Sequence, residues 1–249
     1  MDIPYSILNP EETLNAVPKG SMATADLSSQ QTNKEPIKLF SKAKVNGTEY
    51  HCLDVVKIKQ NEFSTYVAKI LKIMSRSADK DIPCAQVQWY YKKGDMNFDI
   101  LRLSEADQVF IGDNEVFPTN HKDIIPLESI ICKVQVLHLS EYQDCSLVNQ
   151  SIFYTRAKFD VIQNRLFPPF SKWDKLCICE KPQNPNMLYI GCEMCDKWVH
   201  PECVGIKDGN IEDVKYYCNP CKKKKKREKK LEKKKRKIEE YKKYREHFD

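Results

Sequence analysis

The chain has 249 residues, 41% of them hydrophobic and 31% charged, a length that holds one large domain or two small ones, each able to bury a core. No apolar run approaches the roughly 20 residues that span a bilayer, and residues 1–21, broken by Pro4, Pro10 and Pro18, lack the apolar stretch of a signal peptide, so an intracellular protein is expected. The net charge of +6 is uneven: residues 222–249 carry sixteen Lys/Arg against six Asp/Glu, a local +10 that leaves the remainder at −4, a mildly acidic body suited to a basic partner.

Residues 1–40 are rich in Pro, Ser, Thr, Asn and Gln without apolar periodicity and are expected to be disordered. The triplet Gly20-Ser21-Met22 resembles a cloning scar, which would make residues 1–19 foreign to the natural protein. From Val45 the texture changes to short apolar runs bounded by turn residues such as Asn46-Gly47: 53–58, 66–74, 85–91, 114–117, 129–136 and 151–154. Their alternation and their β-branched and aromatic content predict strands, hence a mainly β barrel or sandwich over 41–167. Residues 92–112 form a long loop, helical around 104–109, and residues 160–173, with Pro168-Pro169, read as a connector.

Five motifs follow one another here: Leu53-Asp54-Val55-Val56, Tyr66-Val67-Ala68-Lys69-Ile70, Gln88-Trp89-Tyr90-Tyr91, Asn114-Glu115-Val116-Phe117 and Ser129-Ile130-Ile131-Cys132-Lys133. That succession resembles a bromo-adjacent homology (BAH) domain. The resemblance implies a methyl-lysine cage of Tyr66, Trp89 and Tyr91, with His121 and Asp123 where such readers contact a peptide. Trp89 and Tyr91 lie two apart, on one face of a strand, with Tyr90 on the other. Residue pattern alone leaves a second reading open, because aromatic rings on strands are usually core.

Of the eleven cysteines, seven crowd between Cys177 and Cys221, which in an intracellular chain points to metal rather than disulfides. The series Cys177-x-Cys179, twelve residues, Cys192-x2-Cys195, four residues, His200-x2-Cys203, fourteen residues, Cys218-x2-Cys221 supplies eight ligands, enough for two structural zinc ions. About 45 residues bury too little apolar surface to fold without them. Histidine fifth of eight, with Tyr216 two before Cys218, resembles the PHD finger, here over 174–222, although a variant RING finger of a ubiquitin ligase can share that order. The PHD resemblance implies cross-bracing, with Cys177, Cys179, His200 and Cys203 on one ion and Cys192, Cys195, Cys218 and Cys221 on the other. It also implies a cage at Trp198 and Tyr189, half built because Leu176 and Gln183 hold two further cage positions. Glu193 and Asp196 flank Cys195 and suit a basic peptide. Packing of Trp198 on the zinc shell is the alternative.

The tail, 223–249, is almost unbroken charge, partly helical through i,i+4 Glu–Lys pairs, with nuclear-localisation patches and an affinity for DNA phosphate without sequence preference. Taken together, the arrangement is similar to the short plant BAH–PHD readers of the short-life and early-bolting-in-short-days kind. It implies a nuclear, non-enzymatic reader of the histone H3 tail in a larger chromatin complex. The BAH cage would take the Polycomb-type repressive trimethyl mark, and the finger the promoter-type mark or the unmodified tail. A DNA-binding or scaffold protein acting through its basic tail is the rival. Closed zinc sites and the absence of a phosphate-cradling glycine loop argue against catalysis.

Overall fold

The computed structural model describes residues 5–7, 37–61, 64–76, 83–145, 151–206 and 214–246, and the chain divides into two compact units at Lys172/Trp173. Among the described residues no helix is long and apolar enough to cross a membrane.

The first unit is built on strands β1 (Tyr5–Ile7), β2 (Ile37–Phe40), β3 (Lys42–Val45), β4 (Thr48–His51), β5 (Val55–Lys59), β6 (Thr65–Arg76), β7 (Pro83–Tyr91) and β8 (Phe117–Pro126). They continue with β9 (Ile130–Lys133), β10 (Gln135–His138), β11 (Ile152–Thr155), β12 (Lys158–Asp160) and β13 (Arg165–Phe167). Eight of them make one sheet, in the order β13-β12-β8-β7-β6-β5-β9, with β2 added beside β6. A small sheet β1-β3-β4 and the parallel pair β10-β11 complete the unit. Asn46 and Gly47 both take positive φ, 48° and 81°, which closes the tight β3–β4 hairpin. The β core is filled by alternate residues, Val56 and Ile58 from β5, Ala68 and Ile70 from β6, and Ala85 and Val87 from β7. Each valine or isoleucine among them contributes about 1.5–3 kcal/mol by leaving water, and each alanine less.

Two sequence expectations are corrected here. Of the 1–40 stretch expected to be disordered, residues 5–7 and 37–40 are described, as short strands that pair through their backbones with β3 and β6, and the rest lies outside the described residues. β2 is only four residues long, too short for its Ile37-Lys38-Leu39 alternation to stand out, and its side chains are largely exposed; residues 20–22, the suspected scar, lie outside the described residues. The connector 160–173 contains β13, which folds back antiparallel on β12 and so belongs to the sheet. And 129–136 is two strands, not one, β9 pairing with β5 and β10 with β11.

The 92–112 loop carries two short helices, α1 (Phe98–Leu101), capped by Asn97, and α2 (Glu105–Gln108), capped by Ser104 as its position within 104–109 suggests. A third, α3 (Leu139–Asp144), follows β10. The loop is fastened by a buried ion pair. Glu115 receives Arg156 Nε at 2.7 Å and a terminal guanidinium nitrogen at 2.9 Å, and the same guanidinium nitrogen donates to the Phe110 carbonyl.

The second unit holds a short hairpin, β14 (Ile190–Cys192) and β15 (Cys195–Val199), and a long helix, α4 (Asn219–Glu246). The tail, expected to be partly helical, is helical throughout those 28 residues.

Candidate functional site

The eight predicted metal ligands fall into two groups, Cys177, Cys179, His200 and Cys203, and Cys192, Cys195, Cys218 and Cys221, with the ligand atoms of each group within 4.8 Å of one another. Two sulfurs bound to one zinc at about 2.3 Å in a tetrahedron stand about 3.8 Å apart, and a sulfur and an imidazole nitrogen about 3.6 Å. Cys195 and Cys218 sulfurs are 3.7 Å apart, and His200 Nδ1 lies 3.5 Å from the Cys179 sulfur and 3.7 Å from that of Cys203. The donor set therefore fits two zinc ions.

Charge makes the same demand. Burial opposes ionisation of Cys192, yet backbone N–H groups of Cys218 and Met194 and the neighbouring thiols bring it down to about 6. Burial and the Cys177 and Cys179 thiols push Cys203 up to about 12. Cys218, together with burial, does the same to Cys221. Against burial, backbone N–H groups and the neighbouring thiols lower the pKa of Cys177 as well, so each group favours ionisation of one sulfur and resists that of another, a deficit of positive charge that a dication supplies. Burial also lowers the pKa of His200 despite Glu202, favouring the neutral ring that ligates metal.

In the β unit, Ala68 pairs with Trp89 across β6 and β7, and period two then sets Tyr66, Trp89 and Tyr91 on one face. Tyr90 points the other way, packing on Val67, Val116 and Phe153. The three rings are half-buried and, with Tyr90, Asp95, His121 and Asp123, line one cavity of ≈ 370 Å³. Tyr66 meets Trp89 edge-on at 5.6 Å between centroids. Trp89 is neither wholly core nor wholly surface, since one flank packs on the β core and the other lines the cavity.

The position of His121 depends on a bulge. Gln88 pairs with Lys122 and Tyr90 with Pro118, so Thr119, Asn120 and His121 face the single residue Trp89. The Thr119 hydroxyl donates to the Trp89 carbonyl at 2.8 Å and accepts the His121 N–H at 3.1 Å. This swings His121 over the mouth, edge-on to Tyr91 at 6.0 Å and hydrogen-bonded to its hydroxyl through Nδ1 at 3.1 Å. Burial, Asp95 and Tyr66 raise the pKa of Tyr91, which stays a neutral phenol. Sequence reasoning missed Asp95 and Thr119. Asp95 closes a single 3-10 turn in the long loop, and Thr119 sits in a bulge that leaves no periodic trace.

On the finger, Gly191 pairs with Trp198, and the indole lies over Gly191, 47% exposed. Tyr189 is half-buried, its ring tilted on His200 at 4.5 Å and its hydroxyl accepting the Asn184 N–H. Gln183 is buried and Leu176 exposed. Glu193 and Asp196 are exposed at the β14–β15 turn. On α4, Lys225 Nζ lies 3.7 Å from the centre of the Tyr217 ring.

Residues 48–169 match the family model of the BAH domain and residues 177–221 that of the PHD finger. The chain is 28% identical over 161 residues to the chromatin remodeling protein SHL of Arabidopsis thaliana, covering 63% of this chain and 65% of that protein. It is 29% identical to the chromatin remodeling protein EBS of the same plant, covering 63% and 62%. The match thus spans a little under two thirds of each relative. Among solved structures, the yeast Rsc2 BAH domain superposes at a TM-score of 0.37 with 16% identity, covering 49% of this chain and 50% of that one.

Proposed function

We propose that this chain, which carries a BAH domain followed by a PHD finger, reads methylated lysines on the histone H3 tail in the nucleus, regulating transcription without catalysis of its own. The observation that carries the reading is the open cavity walled by Tyr66, Trp89 and Tyr91 with exposed Asp95 and Asp123 at its rim. A trimethylammonium donates no hydrogen bond. It gains instead from ring faces, about 0.5–2 kcal/mol per well-placed ring, and the rim carboxylates favour a cationic peptide. His121 and Asp123 contact that peptide, and the mark taken is the Polycomb-type repressive one.

The finger presents Trp198 beside Gly191, with Tyr189 against His200 and Glu193 and Asp196 exposed at the hairpin turn. Because Tyr189 also leans on His200, Trp198 is the more available wall, and the finger takes the promoter-type mark more weakly or the unmodified tail. The names of the Arabidopsis relatives, chromatin remodeling proteins, support a chromatin partner. Nucleosomal DNA is the second element of that partner, met by the cationic C-terminal helix.

Titration of zinc-loaded protein with H3 peptides tests the reading. Trimethylated peptides are expected to bind at least tenfold more tightly than unmodified ones at the BAH cavity. Trp89→Ala should abolish the Polycomb-type preference and Trp198→Ala the finger's binding. Equal affinity for methylated and unmodified peptides by the wild-type protein would refute the cage.

A further inference from the structure

Helix α4 distributes its charges unequally around its axis. At about 100° per residue, residues 222–245 divide into two arcs, one of which, spanning about 200°, holds eleven of the sixteen basic residues and no acid. Lys223, Arg227, Lys230, Lys234, Lys237 and Arg245 run along its centre. The remaining arc holds the other five basic residues together with Glu228, Glu232, Glu239 and Glu240, close to neutral. Two contacts with the finger and an ion pair within the helix fall on this mixed arc. Lys222 and Lys225 lie over the rings of Tyr216 and Tyr217, at 5.7 Å and 3.7 Å, and Arg236 pairs with Glu240 at 3.7 Å. The finger thus engages the mixed side, and the eleven basic residues of the acid-free arc are exposed, interspersed with exposed Leu231, Ile238, Tyr241 and Tyr244.

We infer that the cationic arc is a docking surface for the phosphate backbone of double-stranded DNA, an inference that rests on the chromatin partner proposed above. A helix about 10–12 Å across fits the duplex major groove, about 12 Å wide, where phosphates of both strands flank it. Over 28 residues it runs for about 42 Å, more than one duplex turn of about 34 Å. The acid-free arc faces both backbones while the glutamates point to solvent. Lysine predominates on the arc, a compact charge on a flexible stem that meets phosphate without fixed geometry, so binding is directed to phosphate and indifferent to sequence. Leu231, Ile238, Tyr241 and Tyr244 share the arc with eleven basic residues and form no continuous apolar face of the kind a lipid surface requires.

The test compares two triple variants of the full, zinc-loaded chain that lose equal charge: Lys230→Gln/Lys234→Gln/Lys237→Gln on the cationic arc, and Lys229→Gln/Arg236→Gln/Lys243→Gln on the mixed arc. Binding to a random-sequence duplex is followed by fluorescence anisotropy across salt concentrations, with helicity checked by circular dichroism. Removing three phosphate contacts should lower the slope of log K against log salt by about 3 and weaken binding roughly tenfold or more at physiological salt. The mixed-arc variant should keep its slope within about 1, because the Debye length of about 8 Å screens the far side of the helix. Equal losses in both variants would overturn the arc while leaving charge-driven DNA binding by the tail. No duplex binding by the wild-type chain, or tighter binding to anionic vesicles than to DNA, would overturn both. Trp89→Ala should leave the salt slope untouched, so failure of the histone reading is separable from failure of this one.

Discussion

Thr119 shows how much one hydroxyl decides at the residue scale. Its side chain satisfies the Trp89 carbonyl, which the bulge leaves without a ladder partner, and receives the His121 N–H. Thr119→Val keeps the shape and removes both bonds, which are part-buried, at about 1 kcal/mol. A chemical denaturation midpoint lowered accordingly is expected, with a several-fold loss in methyl-peptide affinity as Trp89 and His121 lose their register. Unchanged affinity with lowered stability would show that the bulge supports the sheet and not the cavity. That Trp89 and Tyr91 share a face was legible in the sequence because strand alternation projects i and i+2 to one side, whereas Tyr66 was reached only through the BAH resemblance. Thr119 was not, because a bulge exists only relative to the partner strand.

Glu115 governs the element scale. Within the Asn114-Glu115-Val116-Phe117 run it is fully buried, and besides Arg156 it accepts from the Gly112 N–H and the Tyr154 hydroxyl. It therefore ties the end of the 92–112 loop, which carries Asp95, to β11 and the residue just after it. Breaking such a pair strands a charge inside, so Arg156→Ala is expected to cost about 3–5 kcal/mol in denaturant unfolding. Glu115→Ala leaves Arg156 stranded in the same way. If either cost under about 1 kcal/mol, the loop would be held by its apolar contacts instead. The sequence marked this run as a motif but gave no sign that its acid is internal, since the Arg lies 41 residues away in the chain. The polar strand β8 was hidden for a related reason: residues 120–124 are exposed, so no apolar period marked them.

At the scale of the whole molecule, two units are stabilised by different physics. The first is a β core of aliphatic side chains, whereas the second gathers Cys177, Cys192 and Cys218 with Ile190, Val199 and Tyr216 around its metal ligands. Zinc also anchors α4, since Cys218 immediately precedes the helix and Cys221 lies in its first turn. A chelator should therefore abolish Trp198-dependent binding and reduce helicity by circular dichroism, because nucleating an isolated helix is unfavourable. Melting of the first unit and binding at the Trp89 cavity should persist. Loss of both together would mean that the units do not fold independently.

Ligand order, alternation and the cationic tail are local properties of the chain, and from them the eight zinc ligands, the mainly β first unit and the BAH and PHD resemblance could be read directly, the resemblance in turn dividing the ligands between two ions. Which face of Trp89 stays open, how His121 comes to lie above it, that Tyr189 leans on a zinc ligand, and that Glu115 is internal were settled only by folding. Each depends on residues far apart in sequence meeting across strands, and pairing register and burial are relations between segments that no single segment contains.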